Sequence, residues 1–234
     1  MTSRSVMISG ANRGIGSAIA EQLAKDGWAV SLGMRTPVIP DWASLLPVDR
    51  VQLFAYDATN PLSETEWAEA AEAKFGRIDA VVANAGLMIP RNVIEAEEDE
   101  IRHMMEVNVM APRRLAKAAW NALCATGQGR IIIMASLSGK RVKSAAAGSY
   151  AMTKFAAVAL SHALRHAGFD KGIRTTAICP GFVATDMARA LSKLDDTAMT
   201  NPVDLARIIA MILNLPNEAS VAEFAINCQL EERF

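Results

Sequence analysis

The stretch Ser5-Val6-Met7-Ile8-Ser9-Gly10-Ala11-Asn12-Arg13-Gly14-Ile15-Gly16 runs from a short apolar segment through a glycine-rich turn into a helix. The helix reads as Ile15–Lys25, because Ile15, Ile19 and Leu23 recur at i, i+4 and i+8 and form one apolar stripe. Each glycine has a physical task. Gly10 permits a tight turn out of the strand, Gly14 lets the backbone approach a phosphate, and Gly16 lets the helix pack closely on the sheet. The free N–H groups and positive dipole end of the helix suit a pyrophosphate. The spacing is GxxxGxG, not the general GxGxxG fingerprint, so a glycine turn that binds nothing is the alternative. Its position between a strand and an amphipathic helix favours the nucleotide.

Working outward, short apolar runs alternate with helical patterns. The strand candidates are Ser5–Ser9, Ala29–Gly33, Val51–Ala55, Ala80–Ala83, Arg130–Ala135, Arg174–Ile178 and Val221–Asn227. Near-continuous apolar runs are expected of strands buried on both faces. Between them lie Leu62–Phe75, read as capped by Ser63 with Glu66 three residues on, a long helix Glu98–Ala125, then Tyr150–Gly168, and Asp204–Leu213 after Pro202. Alternation of this kind implies βαβ units with right-handed crossovers. The expected fold is α/β: a doubly wound, mostly parallel sheet of about seven strands with helices on both faces, Rossmann-type, as one domain over residues 1–234.

Composition narrows the partners. The 234 residues are 51% hydrophobic and 21% charged, with a net charge of −1. This balance gives no electrostatic reason to expect nucleic acid or an anionic membrane. Basic residues are scattered; Lys140-Arg141-Val142-Lys143 reads as solvated surface. Cys124, Cys179 and Cys228 are far apart, which argues against a disulfide framework or zinc site and for a reducing compartment. His103, His162 and His166 show no metal-ligand spacing, so no metal is expected. No apolar run reaches the roughly 18 residues of a membrane helix. The first ten residues leave no room for a signal peptide, so a cytoplasmic location is expected.

Nucleotide choice follows from charge. An NAD site usually places an acid about 20 residues beyond the glycines, at the ribose 2′-hydroxyl. Here Leu32-Gly33-Met34-Arg35-Thr36 has none. Arg35, joined by Arg13, is suited to a 2′-phosphate, which implies NADP and favours NADPH over NADH. Two ordinary surface arginines are the alternative reading.

The proton-transfer candidate is Tyr150-Ala-Met-Thr-Lys154. Positions i and i+4 share a helix face. A nearby ammonium lowers a phenol's pKa from its ordinary value near 10 and makes it useful for proton transfer. Alone, this pair is more often a surface contact.

Further motifs accompany it: Asn84-Ala85-Gly86 after a strand, Asn108 within a helix, Ser136-Leu-Ser138-Gly139 after a strand, and Pro180-Gly181-Phe182-Val183-Ala184-Thr185 after another. Together and in this order they resemble the short-chain dehydrogenase/reductase family, over nearly the whole chain. The resemblance implies hydride transfer between NADP(H) and a small-molecule carbonyl or secondary alcohol. Tyr150 would be the acid/base. Lys154 would tune it and hold the nicotinamide ribose, Ser136 would hold the substrate oxygen, and Asn108 would support a water-linked proton relay. The cofactor would lie along Gly10, Asn12, Arg13, Gly14, Ile15, Gly16 and Arg35, with Asp57 by the adenine. Asn84, Ala85 and Gly86 would line it, and Tyr150, Lys154, Pro180, Gly181, Val183 and Thr185 would complete it.

Residues 186–201 would cover the substrate, offering Met187, Leu191, Leu194 and Met199, with Leu87, Met88, Ile89 and Phe182 nearby. A homo-oligomer, tetramer or dimer, is implied through the long helix and the Tyr150 helix. Met104, Met105 and Met110 are read as core or subunit contact. Some features depart from the family pattern. Ser9 stands where threonine is usual. Ser136 precedes Tyr150 by 14 residues, with Ser138 a rival at 12, and the C-terminal Glu223–Leu230 lacks the usual glycine pair. The competing class is a catalytically silent NADP(H)-binding regulator or scaffold, since fold alone never proves turnover. A sugar-nucleotide epimerase or dehydratase is disfavoured by length.

Overall fold

The computed structural model describes residues 3–230. Seven parallel strands form one sheet in the order β3-β2-β1-β4-β5-β6-β7. They are β1 (Ser5–Ser9), β2 (Ala29–Met34), β3 (Val51–Ala55), β4 (Ala80–Ala83), β5 (Arg130–Met134), β6 (Arg174–Pro180) and β7 (Glu223–Ile226). The order reverses between β1 and β4, which opens a crevice at their carboxyl ends.

Alternate side chains along each strand point to opposite faces. Met7, Val81, Ile131 and Ile133 join the core on one face, with Trp67, Leu115, Leu123 and Ala157. Val6, Ile8, Val82 and Ile132 join the other, with Ile19, Leu23, Leu205 and Ile209. The second face is covered by α1 (Gly14–Lys25) and α8 (Pro202–Asn214), and the first by α2 (Ser63–Phe75), α4 (Ala111–Ala118), α5 (Trp120–Ala125) and α6 (Gly148–Gly168). Two covered faces explain why the strands read as unbroken apolar runs.

β1, β3 and β4 have the expected bounds, and the ends of β2, β5, β6 and β7 differ from the sequence reading by one or two residues. Two helices differ for physical reasons. The expected long helix is α3 (Glu98–Met105), a π-turn over Glu106–Met110, α4 and α5. Pro112 lies just inside α4 and cannot donate the backbone bond a continuous helix would require there. Met104 is fully buried, whereas Met110 is exposed. Ser63 does not cap α2: Leu62 is the N-cap residue, and the Ser63 hydroxyl instead accepts from the Asp57 N–H at 3.3 Å. Among the described residues no helix is long and apolar enough to cross a membrane.

Trp67 is the wedge between α2 and the sheet. It is fully buried, donates through Nε1 to the Ser31 hydroxyl at 2.7 Å, and stacks against Phe54. Gly33 of β2 makes room for it, since a Cβ there would lie 2.4 Å from the indole. Gly33→Ala should therefore destabilise the fold by about 1–3 kcal/mol. Thermal unfolding should show a melting temperature lower by roughly 3–10 °C; an unchanged value would mean that the ring shifts freely.

Candidate functional site

The crevice at the β1/β4 reversal widens into a cleft of about 1400 Å³. Its first wall is the glycine loop. Gly10 and Gly14 both adopt positive φ, at +68° and +56°, which L side chains rarely take. Gly16 serves the turn itself, because a Cβ there would sit 2.2 Å from the Gly10 carbonyl oxygen. The expected close packing at Gly16 is thus helix against loop.

Ser9 and Asn84 clasp the two strands at the reversal. The Ser9 hydroxyl accepts from the Asn84 and Ala85 N–H groups, each at 3.0 Å. The Asn84 amide donates back to the Ser9 and Gly10 carbonyls at 3.0 and 3.2 Å. Serine therefore supplies the hydroxyl that this position uses.

Tyr150, Ser136 and Lys154 meet at the base of the cleft. Tyr150 is buried on the first turn of α6, and burial pushes its phenol up to about 12, opposed by a hydrogen bond with Ser136. Lys154 is also buried, donates to the Met134 carbonyl at 2.8 Å, and lies 5.6 Å from the centre of the Tyr150 ring. Lys154 is not among the groups that shift the phenol, whose direction burial sets; burial also holds the lysine itself down to about 8. Ser136 is the serine that draws the phenol down, and its hydroxyl donates to the Pro180 carbonyl at 3.4 Å. Ser138 also lines the cleft, and its N–H donates to the Ser136 hydroxyl at 3.1 Å.

Asn108 is brought close without facing the cleft. Its Oδ1 accepts from the Leu87 N–H at 2.8 Å, and its Nδ2 donates to the Leu87 carbonyl at 2.8 Å and to the Thr153 hydroxyl at 2.9 Å. Thr153 donates in turn to the Tyr150 carbonyl at 2.8 Å. The Asn108 side chain thus clasps the Gly86-Leu87 loop to α6. It sits in the π-turn, a distortion found frequently at functional sites.

All the other expected residues except Gly16 line the cleft: Asn12, Arg13, Ile15, Arg35, Asp57, Asn84, Ala85, Gly86, Pro180, Gly181, Val183 and Thr185 join those above. Arg35 is exposed, beside Asp57. The Asp57 carboxyl lies below its usual range because the Thr59 N–H and hydroxyl donate to it, with Arg35 adding attraction. Arg13 is not directed at Arg35. It pairs with Asp186 at 2.8 Å, on the first turn of α7 (Asp186–Leu191). Both partners are exposed, so the pair is weak and readily exchanged.

The 186–201 segment covers the cleft only in part. Met187, Arg189 and Leu191 line it, as do Leu87, Met88 and Phe182; Ile89, Leu194 and Met199 do not. Sequence reasoning missed Arg141, Lys143, Ser144, Asn227 and Gln229. The basic run at 140–143 was the available signal, but it read as solvated surface. Lys143 is indeed exposed, and it donates to Gln229 at 3.2 Å where both line the cleft. The atypical C-terminal stretch also contacts the site region: Glu223 binds Lys140 and His162, which hold its carboxyl below the usual range.

The chain matches the family model for short chain dehydrogenases over residues 4–196. It belongs to the short-chain dehydrogenase family. Agropine synthesis reductase of Rhizobium rhizogenes is 36% identical over 228 residues, which cover 97% of this chain and 53% of that protein. The chain thus spans about half the length of the first curated relatives it matches. Oxidoreductase UcpA of Escherichia coli (strain K12) is 32% identical over 87% of this chain and 76% of its own length. Among solved structures, an alcohol dehydrogenase from the archaeon Thermococcus sibiricus, complexed with 5-hydroxy-NADP, superposes with a TM-score of 0.85. It is 29% identical, over 98% of this chain and 99% of its own.

The buried lysine makes stability depend on pH. Its folded pKa of about 8 lies below the ordinary 10.5, so between these values the unfolded chain binds more protons. Stability from this group therefore rises with pH across that window. Lys154→Met removes the effect. The melting temperature of the wild type relative to Lys154→Met should rise from pH 7 to pH 10.5; a gap independent of pH would show that the buried ammonium is not strained.

Proposed function

We propose that this chain is an oxidoreductase that transfers a hydride between NADP(H) and the carbonyl or secondary alcohol of a small molecule, with residues 1–234 acting as one cofactor-binding and catalytic unit. The observation that carries it is buried Tyr150 and Ser136 lining one cleft, with the Lys154 ammonium 5.6 Å from the Tyr150 ring centre and a glycine loop at a helix N-terminus along the same cleft.

The residues fit such a cofactor. The positive-φ glycines bring bare backbone to the cleft wall, and the start of α1 offers N–H groups to a pyrophosphate. Arg35, with no acid at the end of β2, is suited to a 2′-phosphate, and Asp57 lies on the adenine side. The alcohol dehydrogenase of similar fold carries 5-hydroxy-NADP, which supports this choice. When bound, the cofactor supplies or takes up the hydride.

The chain supplies the proton. With its phenol at about 12, Tyr150 holds its proton at neutral pH and is ready to donate it to a carbonyl oxygen. Ser136 holds that oxygen and adds a donor where negative charge develops. Lys154 places positive charge beside the ring, favouring the phenolate left after transfer. The Asn108 side chain acts by holding Leu87 and Thr153, and through Thr153 the Tyr150 backbone. Met187, Leu191 and Phe182 give the substrate an apolar cover that excludes water. Exposed Met110, Met152 and Phe155 mark the helix faces through which copies would associate.

Tyr150→Phe should lower kcat by about 10²–10⁴-fold while leaving NADPH affinity within a few-fold; undiminished turnover would remove Tyr150 from the chemistry. Arg35→Asp should weaken NADPH by about 10–100-fold more than NADH, measured by paired titrations; equal losses would mean that Arg35 does not touch the 2′-phosphate.

A further inference from the structure

Arg114 lies outside the cleft, and no step of the proposed chemistry uses it. Its guanidinium is largely buried and contacts three segments. It donates to both carboxylate oxygens of Glu64, at 2.9 and 3.2 Å, and to the Ala58 carbonyl at 2.8 Å. Its remaining arm reaches Glu106 at 2.5 Å. Glu64 is itself buried and accepts from the Tyr56 hydroxyl at 3.0 Å.

The placement of these partners matters more than their number. Tyr56, Asp57 and Ala58 form the adenine-side wall of the cleft. Glu106 opens the π-turn, two residues before Asn108, whose amide holds Leu87 and Thr153. A single planar fork therefore joins the wall that would touch the adenine to the segment that orients the Tyr150 turn. A buried ion pair is weak grounds for stability but a recognised device for fixing register between elements. Arginine suits this place because its donors are spread over three nitrogens fixed in one plane, whereas lysine offers all its donors from one freely rotating nitrogen.

We propose that Arg114 is a positioning residue that couples occupancy of the adenine side to the order of the Asn108 π-turn. The proposal rests on the nucleotide reading above.

The test is hydrogen exchange on the full chain with adenosine 2′,5′-bisphosphate, a probe that fills only the adenine side. In the wild type the probe should slow exchange at residues 56–60 and, remotely, at 104–110, each by roughly tenfold. Glu106→Ala removes only the acceptor for the arm to the π-turn, at a half-buried helical position, and spares folding even if Arg114→Gln does not. In Glu106→Ala, protection at 56–60 should persist and protection at 104–110 should disappear. NADPH KM should stay within about twofold while kcat falls severalfold, a split that a general loss of stability would not produce. Equal remote protection in Glu106→Ala and wild type overturns the coupling. Protection in the wild type at 56–60 alone also overturns it and leaves the nucleotide reading standing. No protection anywhere overturns both.

Discussion

Everything in this structure depends on how the backbone is satisfied where β1 and β4 part. At that reversal the Asn84 and Ala85 N–H groups and the Ser9 and Gly10 carbonyls find side-chain partners, the Ser9 hydroxyl and the Asn84 amide. Gly16 completes the junction, since any side chain there would strike the Gly10 carbonyl. The result is a crevice with a hydrogen-bonded floor, onto which both the glycine loop and the Asn84–Gly86 loop open.

Around that floor the fold accepts local cost for chemical placement. Lys154 is a buried cation with one backbone acceptor, and its depressed pKa measures what burial imposes. Tyr150 is raised by the same burial. The polar groups that hold these two are themselves bonded in a chain from Leu87 through Asn108 and Thr153 to the Tyr150 carbonyl. Supporting side chains locked in this way are what a proton-transfer site needs, since small misplacements are expensive in rate.

Much of this was legible in the sequence because its signals are local. Continuous apolar runs such as Ile131–Ile133 marked strands covered on both faces, and the spacing of Ile15, Ile19 and Leu23 marked α1. The glycine loop, Ser136 and the Tyr150–Lys154 pair could be placed because each follows a strand or shares a helix face. What was hidden depends on distant partners. Arg13 has a partner 173 residues away in Asp186, so nothing near it indicates that it turns from Arg35. Lys143 meets Gln229 only because β7 ends beside the cleft. Ser63 matched a capping pattern, yet the Asp57 N–H takes its hydroxyl. Continuous helical periodicity over 98–125 concealed the π-turn, because one inserted residue shifts the register without altering composition.

The most direct test of the account is paired titration of the purified chain with NADPH and NADH, followed by turnover of the preferred nucleotide against ketones, aldehydes and quinones. The account predicts tighter binding of NADPH and oxidation of it by at least one carbonyl class. Tight binding without turnover across a broad panel would contradict the enzyme reading in favour of a silent nucleotide-binding protein. Binding of neither nucleotide would contradict the account from the glycine loop onward.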